Sequence, residues 1–162
     1  MKLYIIIGNG NSRKSSTIRA LTGVRDQRNL EVAKNDICIN AYVKTTSFQE
    51  IFNKGINPEA AYDEMITRKC DYAIICLRYN PKYSMPGFID YIDTFVKKGG
   101  SIIEPLIFLS NEDDVEKITK NSINIEFENK GLKTINSNII NNSKQIASNE
   151  IASIIRELWG FK

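Results

Sequence analysis

The sequence predicts one α/β domain over residues 1–162, a three-layer α/β/α arrangement around a mostly parallel sheet of about five strands. Two observations lead to this prediction. Short apolar runs of strand length alternate along the chain with segments of helical periodicity. The runs themselves are almost continuously apolar, which is typical of parallel strands that helices cover on both faces. A chain of 162 residues has the length of one domain, so a single sheet should organise all of it.

Four segments are predicted as strands because each is a short apolar run that ends at polar or turn residues. They are residues 2–8, 36–43, 71–77 and 101–109. Pro105 has no amide hydrogen, so it predicts that the last strand lies at a sheet edge or contains a bulge. A hairpin is predicted from segments 123–127 and 132–135 on either side of Asn129-Lys130-Gly131, and the polar stretch 136–143 is predicted to be a connection.

Helices are predicted where apolar residues recur with helical spacing between start and stop signals. Thr22-Gly23 provides a stop, Asn57-Pro58 an N-cap followed by proline at the first helical position, and Gly99-Gly100 another stop. The predicted helices are residues 14–21, 58 to about 69, 87–98, 110–120 and a closing helix from about 142.

Charge is distributed unevenly along a chain whose net charge is only +3. Residues 1–34 carry seven basic and two acidic side chains. Positive charge concentrated at one end of a near-neutral chain predicts an anionic ligand there. We expect nucleic acid to be an unlikely partner, because aromatic residues are not interleaved with these basic residues.

The residue types present exclude several classes of site. The chain has no histidine, and its three cysteines, Cys38, Cys70 and Cys76, form no C-x-x-C pair, which excludes zinc fingers and histidine-based triads. Cys38 and Cys76 lie in apolar runs and are predicted to be buried thiols. No apolar run is long enough to cross a membrane or to serve as a signal-peptide core, so we expect a cytoplasmic protein with no membrane partner.

The segment after the first strand carries the candidate chemistry. It reads Gly8-Asn9-Gly10-Asn11-Ser12-Arg13-Lys14-Ser15-Ser16 and matches G-x-x-x-x-G-K-[ST] at Gly8, Lys14 and Ser15. Arg13 stands where the pattern has its second glycine. The segment therefore resembles the Walker A loop of P-loop NTPases, and the resemblance covers about the first 23 residues of the chain.

The resemblance implies a P-loop NTPase-like fold that binds ATP or GTP with Mg²⁺. It implies that Gly8 lets the chain turn off the strand and that the loop amides ring a phosphate at a helix N-terminus. Lys14 would reach the β- and γ-phosphates, and the Ser15 hydroxyl would ligate Mg²⁺. The implied nucleotide-binding residues are Gly8, Asn9, Gly10, Asn11, Ser12, Arg13, Lys14, Ser15 and Ser16.

Two arginines are candidates for charge stabilisation beside Lys14. Arg13 could crowd the phosphates or, pointing outward, add a cation beside them. Arg78 follows the third predicted strand directly, at the sheet edge where the loop lies, and could pair with a phosphoryl oxygen. The segment 78–87 that it opens contains cations, tyrosines and prolines, which suits either a nucleotide-binding surface or an ordinary crossover.

Two other segments match known ligand-binding patterns only in part. As G-x-G-x-x-R the loop approaches a dinucleotide fingerprint, but the second predicted strand is followed by Lys44 rather than by an acid. Asn111 and Asp114 form N-x-x-D, part of the guanine-binding pattern of GTPases, but the lysine of that pattern is missing. Ser110 with Asp113 explains this segment better as a helix cap.

The function expected from these residues is a small NTP-dependent phosphotransferase that acts on an unidentified nucleotide or small-molecule acceptor. Asp63 and Glu64 are the candidate bases. The third and fourth predicted strands end at Leu77 and Leu109, without the acid that usually supports Mg²⁺. A nucleotide-binding sensor or adaptor without turnover is therefore the alternative.

Overall fold

One sheet with the N-terminal strand near its centre organises the chain in the computed structural model, which describes residues 1–50, 55–80, 84–112, 117–141 and 146–162. Seven strands lie within these residues, in the order β2-β3-β4-β1-β6-β7, with β5 paired to the start of β1. All neighbours are parallel except β2 and β3, which are antiparallel. The strands are β1 Lys2–Gly8, β2 Gln27–Lys34, β3 Ile37–Lys44, β4 Tyr72–Leu77, β5 Ser101–Ile102, β6 Leu106–Ser110 and β7 Ser137–Asn141.

Helices cover both faces of the sheet, as the sequence predicts. The helices are α1 Lys14–Thr22, α2 Pro58–Thr67, α3 Phe88–Lys97, α4 Lys120–Asn129 and α5 Ser148–Trp159, and Phe48–Glu50 forms a 3-10 turn. Leu3, Ile5 and Ile7 of β1 pack with buried residues of α2, α3 and α4. Tyr4 and Ile6 point to the other face and pack with α1 and α5. This alternation gives two hydrophobic cores and confirms the three-layer α/β/α prediction.

The predicted hairpin at 123–135 is wrong. Residues 120–129 form α4, whose N-cap Thr119 accepts a hydrogen bond from the Ser122 amide at 3.1 Å. The helix buries Ile123 and Phe127, four residues apart, and leaves Ile125 exposed between them. Apolar residues at every second position fit either element over so short a run, and the cap with the i, i+4 pair favours the helix.

The stretch predicted as a polar connection contains the strand β7, which pairs in parallel with β6 along its whole length. Isoleucines at 139 and 140 pack onto the two cores. The helix predicted at 110–120 is wrong at both ends, because Ser110 completes β6 and Lys120 begins α4; residues 113–116 lie outside the described residues. The closing helix begins at Ser148, and the predicted start at 142 also lies outside them.

Two features of the sheet differ from the sequence prediction for a physical reason. Strand β2 is polar on its exposed face and was not predicted; it turns into β3 through Asn35 and Asp36, both with left-handed φ of 44° and 66°. The predicted fourth strand is divided at Pro105 into β5 and β6. Because Pro105 lies between the two strands, β6 can occupy an inner position between β1 and β7, and the edge position is wrong.

The cysteines are buried with one exception. Cys70 and Cys76 are buried, and burial raises the pKa of Cys76 to about 12 and also raises that of Cys70. Cys38 is exposed, contrary to the prediction. Strand β3 pairs with β4 only over residues 41–43, so Cys38 lies on the part of the β2–β3 hairpin that extends beyond the sheet. Among the described residues, no helix is both long and apolar enough to span a bilayer.

Candidate functional site

The loop after β1 lies where the direction of the chain connections changes. Strand β1 is flanked by β4 and β6, and the chain passes from β1 to the β2–β3 side first and later crosses from β4 to β6. In an open parallel sheet, ligands bind at the carboxyl ends of strands beside such a point. The segment from Gly8 to Ser16 therefore occupies the favoured ligand position of this sheet.

Gly8 allows close packing at the end of β1. A Cβ at this position would lie 2.5 Å from the Leu109 carbonyl oxygen and 2.6 Å from the Ser12 Oγ. The Tyr79 amide donates to the Gly8 carbonyl at 3.3 Å, which joins the loop after β4 to the same point. The motif glycine is thus required by the close approach of the strand β6 backbone.

Left-handed residues shape the rest of the loop. Asn11 has φ 62° and Arg13 has φ 65°, a region that favours glycine. Arg13 is the N-cap of α1, so the position at which the Walker A pattern has glycine keeps a glycine-like conformation although it carries a side chain. Arg13 therefore occupies a backbone conformation that glycine would adopt without strain.

Asn9 holds the loop together through both its backbone and its side chain. Its carbonyl accepts from Ser12 Oγ at 2.8 Å and from Lys14 Nζ at 2.7 Å. Its Oδ1 accepts from the Asn80 amide at 2.9 Å. The Asn111 side chain, on the loop after β6, donates to the Gly10 carbonyl at 3.3 Å. The loops after β4 and β6 therefore fix the loop after β1 from two sides.

The first turn of α1 faces a cleft of about 380 Å³. The hydrogen bond from the Thr17 amide to the Arg13 carbonyl, at 2.8 Å, is the first i to i−4 bond of α1. The amides of residues 14–16 therefore lie in the N-terminal turn, at the positive end of the helix dipole. The residues lining the cleft are Gly10, Asn11, Ser12, Arg13, Lys14, Ser15, Ser16, Glu50 and Arg78. The structure thus brings together Arg78 and the predicted phosphate-loop residues, except Gly8 and Asn9, which support the loop.

The two predicted arginines lie at different parts of this cleft. Arg78 Nη1 is 2.7 Å from Glu50 Oε1, and a Cβ added to Gly10 would lie 3.3 Å from the same nitrogen. Arg13 Nη1 donates to the Ile146 carbonyl at 2.6 Å, just before α5. Lys14 is only 5% exposed. Three basic side chains therefore line one cleft at the end of the central strand.

Sequence reasoning missed the segment after β3, where Gln49 and Glu50 lie. Gln49 is fully buried, and its carboxamide makes four hydrogen bonds. Its Oε1 accepts from the Arg78 amide at 2.6 Å and from Ser47 Oγ at 2.8 Å, and its Nε2 donates to the Arg78 and Pro86 carbonyls, both at 3.0 Å. This segment follows the carboxyl end of β3, so the rule that ligand sites form at the carboxyl ends of parallel strands could have indicated it.

The two candidate bases are not among the residues that line the cleft. Asp63 pairs with Lys98 at 2.7 Å on the surface of α2. Glu64 accepts hydrogen bonds from the Tyr42 hydroxyl at 2.6 Å and from Lys44 at 3.0 Å. Burial raises the pKa of Glu64, but these two donors outweigh burial and hold it below its usual value. Lys44 is thus paired with Glu64 and is not among the residues that line the cleft.

The donors in the cleft fit a phosphate ligand accompanied by a hard divalent cation. The Ser15 hydroxyl and the Glu50 carboxylate both line it, and oxygen donors are the ligands that Mg²⁺ prefers. No group of three or more acidic, cysteine or histidine ligands occurs within the ranges that the structure describes. Mg²⁺ usually completes its coordination with substrate phosphates and water, so a small protein donor set is sufficient.

Replacing Arg13 by glycine is expected to weaken pyrophosphate binding by about 1–2 kcal/mol, because one charge-assisted contact to an anion is lost. Glycine fits the left-handed backbone at this position without strain, so the loop should keep its shape. Titration calorimetry at low and high ionic strength measures the effect, which should be larger at low ionic strength. Arg13→Lys keeps the charge and should retain most of the affinity; tighter binding by Arg13→Gly would show that the side chain obstructs the loop.

Comparisons with known proteins give a limited result. No known protein family and no curated protein matches the chain. Among solved structures, the chain is similar to one described as the structure and function of the FeoB G-domain from Methanococcus jannaschii. The two are 20% identical, with 98% of each chain covered and a TM-score of 0.45.

Proposed function

We propose that this protein binds the phosphates of a nucleoside triphosphate, ATP or GTP, together with Mg²⁺. The observation that supports the proposal is the cleft itself. The first turn of α1, with the buried Lys14, lines it together with Arg13 and Arg78 at the end of the central strand. Aligned helix amides and nearby cations are the standard means of holding a phosphate.

The residues of the cleft would contact different parts of the ligand. The amides of the first turn of α1 would hold the phosphate oxygens, and Lys14 would exchange its bond to the Asn9 carbonyl for a phosphate oxygen. The Ser15 hydroxyl would hold Mg²⁺, which when bound neutralises part of the phosphate charge. Arg78 would turn from Glu50 towards the phosphates, a short movement because both side chains line the same cleft.

We further propose that bound nucleotide is used for phosphoryl transfer to a nucleotide or small-molecule acceptor. Lys14, Arg13 and Arg78 would stabilise the charge that develops on the transferring group. The bond between the γ-phosphorus and the bridging oxygen would break and release the nucleoside diphosphate, a bond to the acceptor oxygen would form, and the proton of the acceptor hydroxyl would pass to solvent water. We propose the cytoplasm as the location of this reaction. A non-catalytic sensor or adaptor is the second candidate, because β4 and β6 end at Leu77 and Ser110 rather than at an acid.

Ligand-dependent thermal stability tests the proposal. ATP, GTP or pyrophosphate with Mg²⁺ should raise the melting temperature, since a ligand that binds only the native state opposes unfolding. If none of them changes it at millimolar concentration, the proposal is wrong. Hydrolysis without an acceptor should be slow, on the order of 10⁻³ s⁻¹. A screen of nucleosides, nucleotides and small alcohols with γ-labelled ATP and GTP then separates the candidates: labelled product indicates a phosphotransferase, and binding without transfer indicates a sensor.

A further inference from the structure

We propose that Glu50 makes phosphate binding in the cleft depend on a divalent cation. Among the described residues that line the cleft, Glu50 is the acidic one, and it shares the cleft with the basic residues and the first turn of α1, to which an anion would bind. This inference rests on the proposed function, but it concerns a residue outside the Walker A resemblance. It would supply the acidic group that the ends of β4 and β6 lack.

Glu50 is held at the cleft by its neighbours. Gln49 is fully buried and is tied to the backbone of Arg78 on both sides by its hydrogen bonds at 2.6 and 3.0 Å. Phe48 is also fully buried, and its carbonyl accepts from the Ile56 amide at 2.7 Å. The 3-10 turn is therefore held both by side-chain hydrogen bonds of Gln49 and by a backbone hydrogen bond of Phe48. Its last residue, Glu50, cannot move far from the cleft without breaking these contacts.

Arg78, with which a phosphate would pair, is already paired with the Glu50 carboxylate. Arg78 Nη1 lies 2.7 Å from Glu50 Oε1, and the exposed side-chain fractions are only 16% for Arg78 and 27% for Glu50. A phosphate that approaches Arg78 without a metal therefore meets a negative charge that is poorly screened by solvent. A divalent cation bound by the carboxylate oxygens and by the phosphate oxygens would replace this repulsion with an attraction to both groups.

Binding of inorganic pyrophosphate in the presence of Mg²⁺ and in EDTA tests the inference. For the wild-type protein, calorimetry should show an affinity at least about tenfold higher with Mg²⁺ than in EDTA. Glu50→Gln, which keeps the size of the side chain but not its charge, should bind metal-free pyrophosphate more tightly than the wild type. In this variant the ratio of the two affinities should fall below about threefold.

Two further variants separate a charge effect at the cleft from other causes. Glu50→Asp keeps the charge and should retain most of the metal dependence. Glu31→Gln removes one charge from the exposed face of β2 and should leave the wild-type ratio unchanged. Thermal unfolding of the ligand-free proteins verifies that all variants are folded.

The outcomes distinguish this inference from the proposed function. If Glu50→Gln keeps the wild-type ratio, or if the wild type binds pyrophosphate equally well in Mg²⁺ and in EDTA, the role of Glu50 is overturned while the phosphate site remains. If folded wild-type protein binds neither pyrophosphate nor ATP nor GTP in either condition, the proposed function is wrong and this inference is wrong with it.

Discussion

Replacing Lys14 by alanine is expected to remove the stabilisation by pyrophosphate, ATP or GTP that the wild-type protein shows. Lys14 lines the cleft, is only 5% exposed, and presents its ammonium group to the loop, 2.7 Å from the Asn9 carbonyl oxygen. A charge-assisted hydrogen bond to a phosphate oxygen contributes about 1.5–3 kcal/mol, and further attraction comes from the phosphates next to it. The loss of affinity should therefore be about 100-fold or more.

Melting curves across a pyrophosphate titration give the comparison directly. Lys14→Met keeps most of the buried aliphatic stem and should fail to bind in the same way, which separates the charge from the packing. Lys133→Ala removes a lysine from the exposed surface and should respond to pyrophosphate like the wild type. Wild-type affinity in both Lys14 variants would show that the anion lies elsewhere.

Replacing Gln49 by alanine is expected to destabilise the protein by about 3 kcal/mol or more, since buried partners left without hydrogen bonds cost about 1–3 kcal/mol each. The Arg78 amide, the Arg78 carbonyl and the Pro86 carbonyl all bond to this one carboxamide. Their loss would also release the 3-10 turn from the loop after β4. Denaturant unfolding of the ligand-free protein measures the change.

Gln49→Met separates the stability lost with the hydrogen bonds from the stability lost through the cavity that alanine would leave. Methionine fills a similar volume but makes none of the four bonds, so it should lose nearly as much stability as alanine if the bonds are responsible. A methionine variant as stable as the wild type would show that packing alone holds the turn.

The sequence predicts those parts of the fold in which one local pattern has one interpretation. Strand β1 and helix α1 are separated by a glycine-rich loop, and the apolar run of β4 has no competing helical period, so each was predicted within about two residues. The failures lie where the pattern is ambiguous or the burial is partial. Alternating isoleucines in α4 fit both periods, and the polar β2 and β7 become strands only because a neighbouring strand provides hydrogen bonds.

The candidate site shows the same division. The residues from Gly8 to Ser16 are contiguous, so a motif can identify them, and Arg78 follows directly from a strand end. Glu50 and Gln49 belong to no motif and enter the site through tertiary contacts with the loop after β4. The left-handed conformation of Arg13 likewise depends on the loop as a whole and could not be inferred from the residue type, since arginine rarely adopts it.

The pairing of β1 along both of its edges lowers the entropy that is lost when a ligand binds. Its hydrogen bonds to β4 on one side and to β5 and β6 on the other can open only when the central sheet separates, which is a cooperative unfolding event. The base of the cleft is therefore ordered before any anion arrives. The entropy lost on binding falls on the long side chains of Arg13, Lys14 and Arg78, each with a rotamer cost of up to about 2 kcal/mol. The contacts of these three side chains with Ile146, Asn9 and Glu50 already restrict their rotamers, which reduces the entropy that remains to be lost on binding.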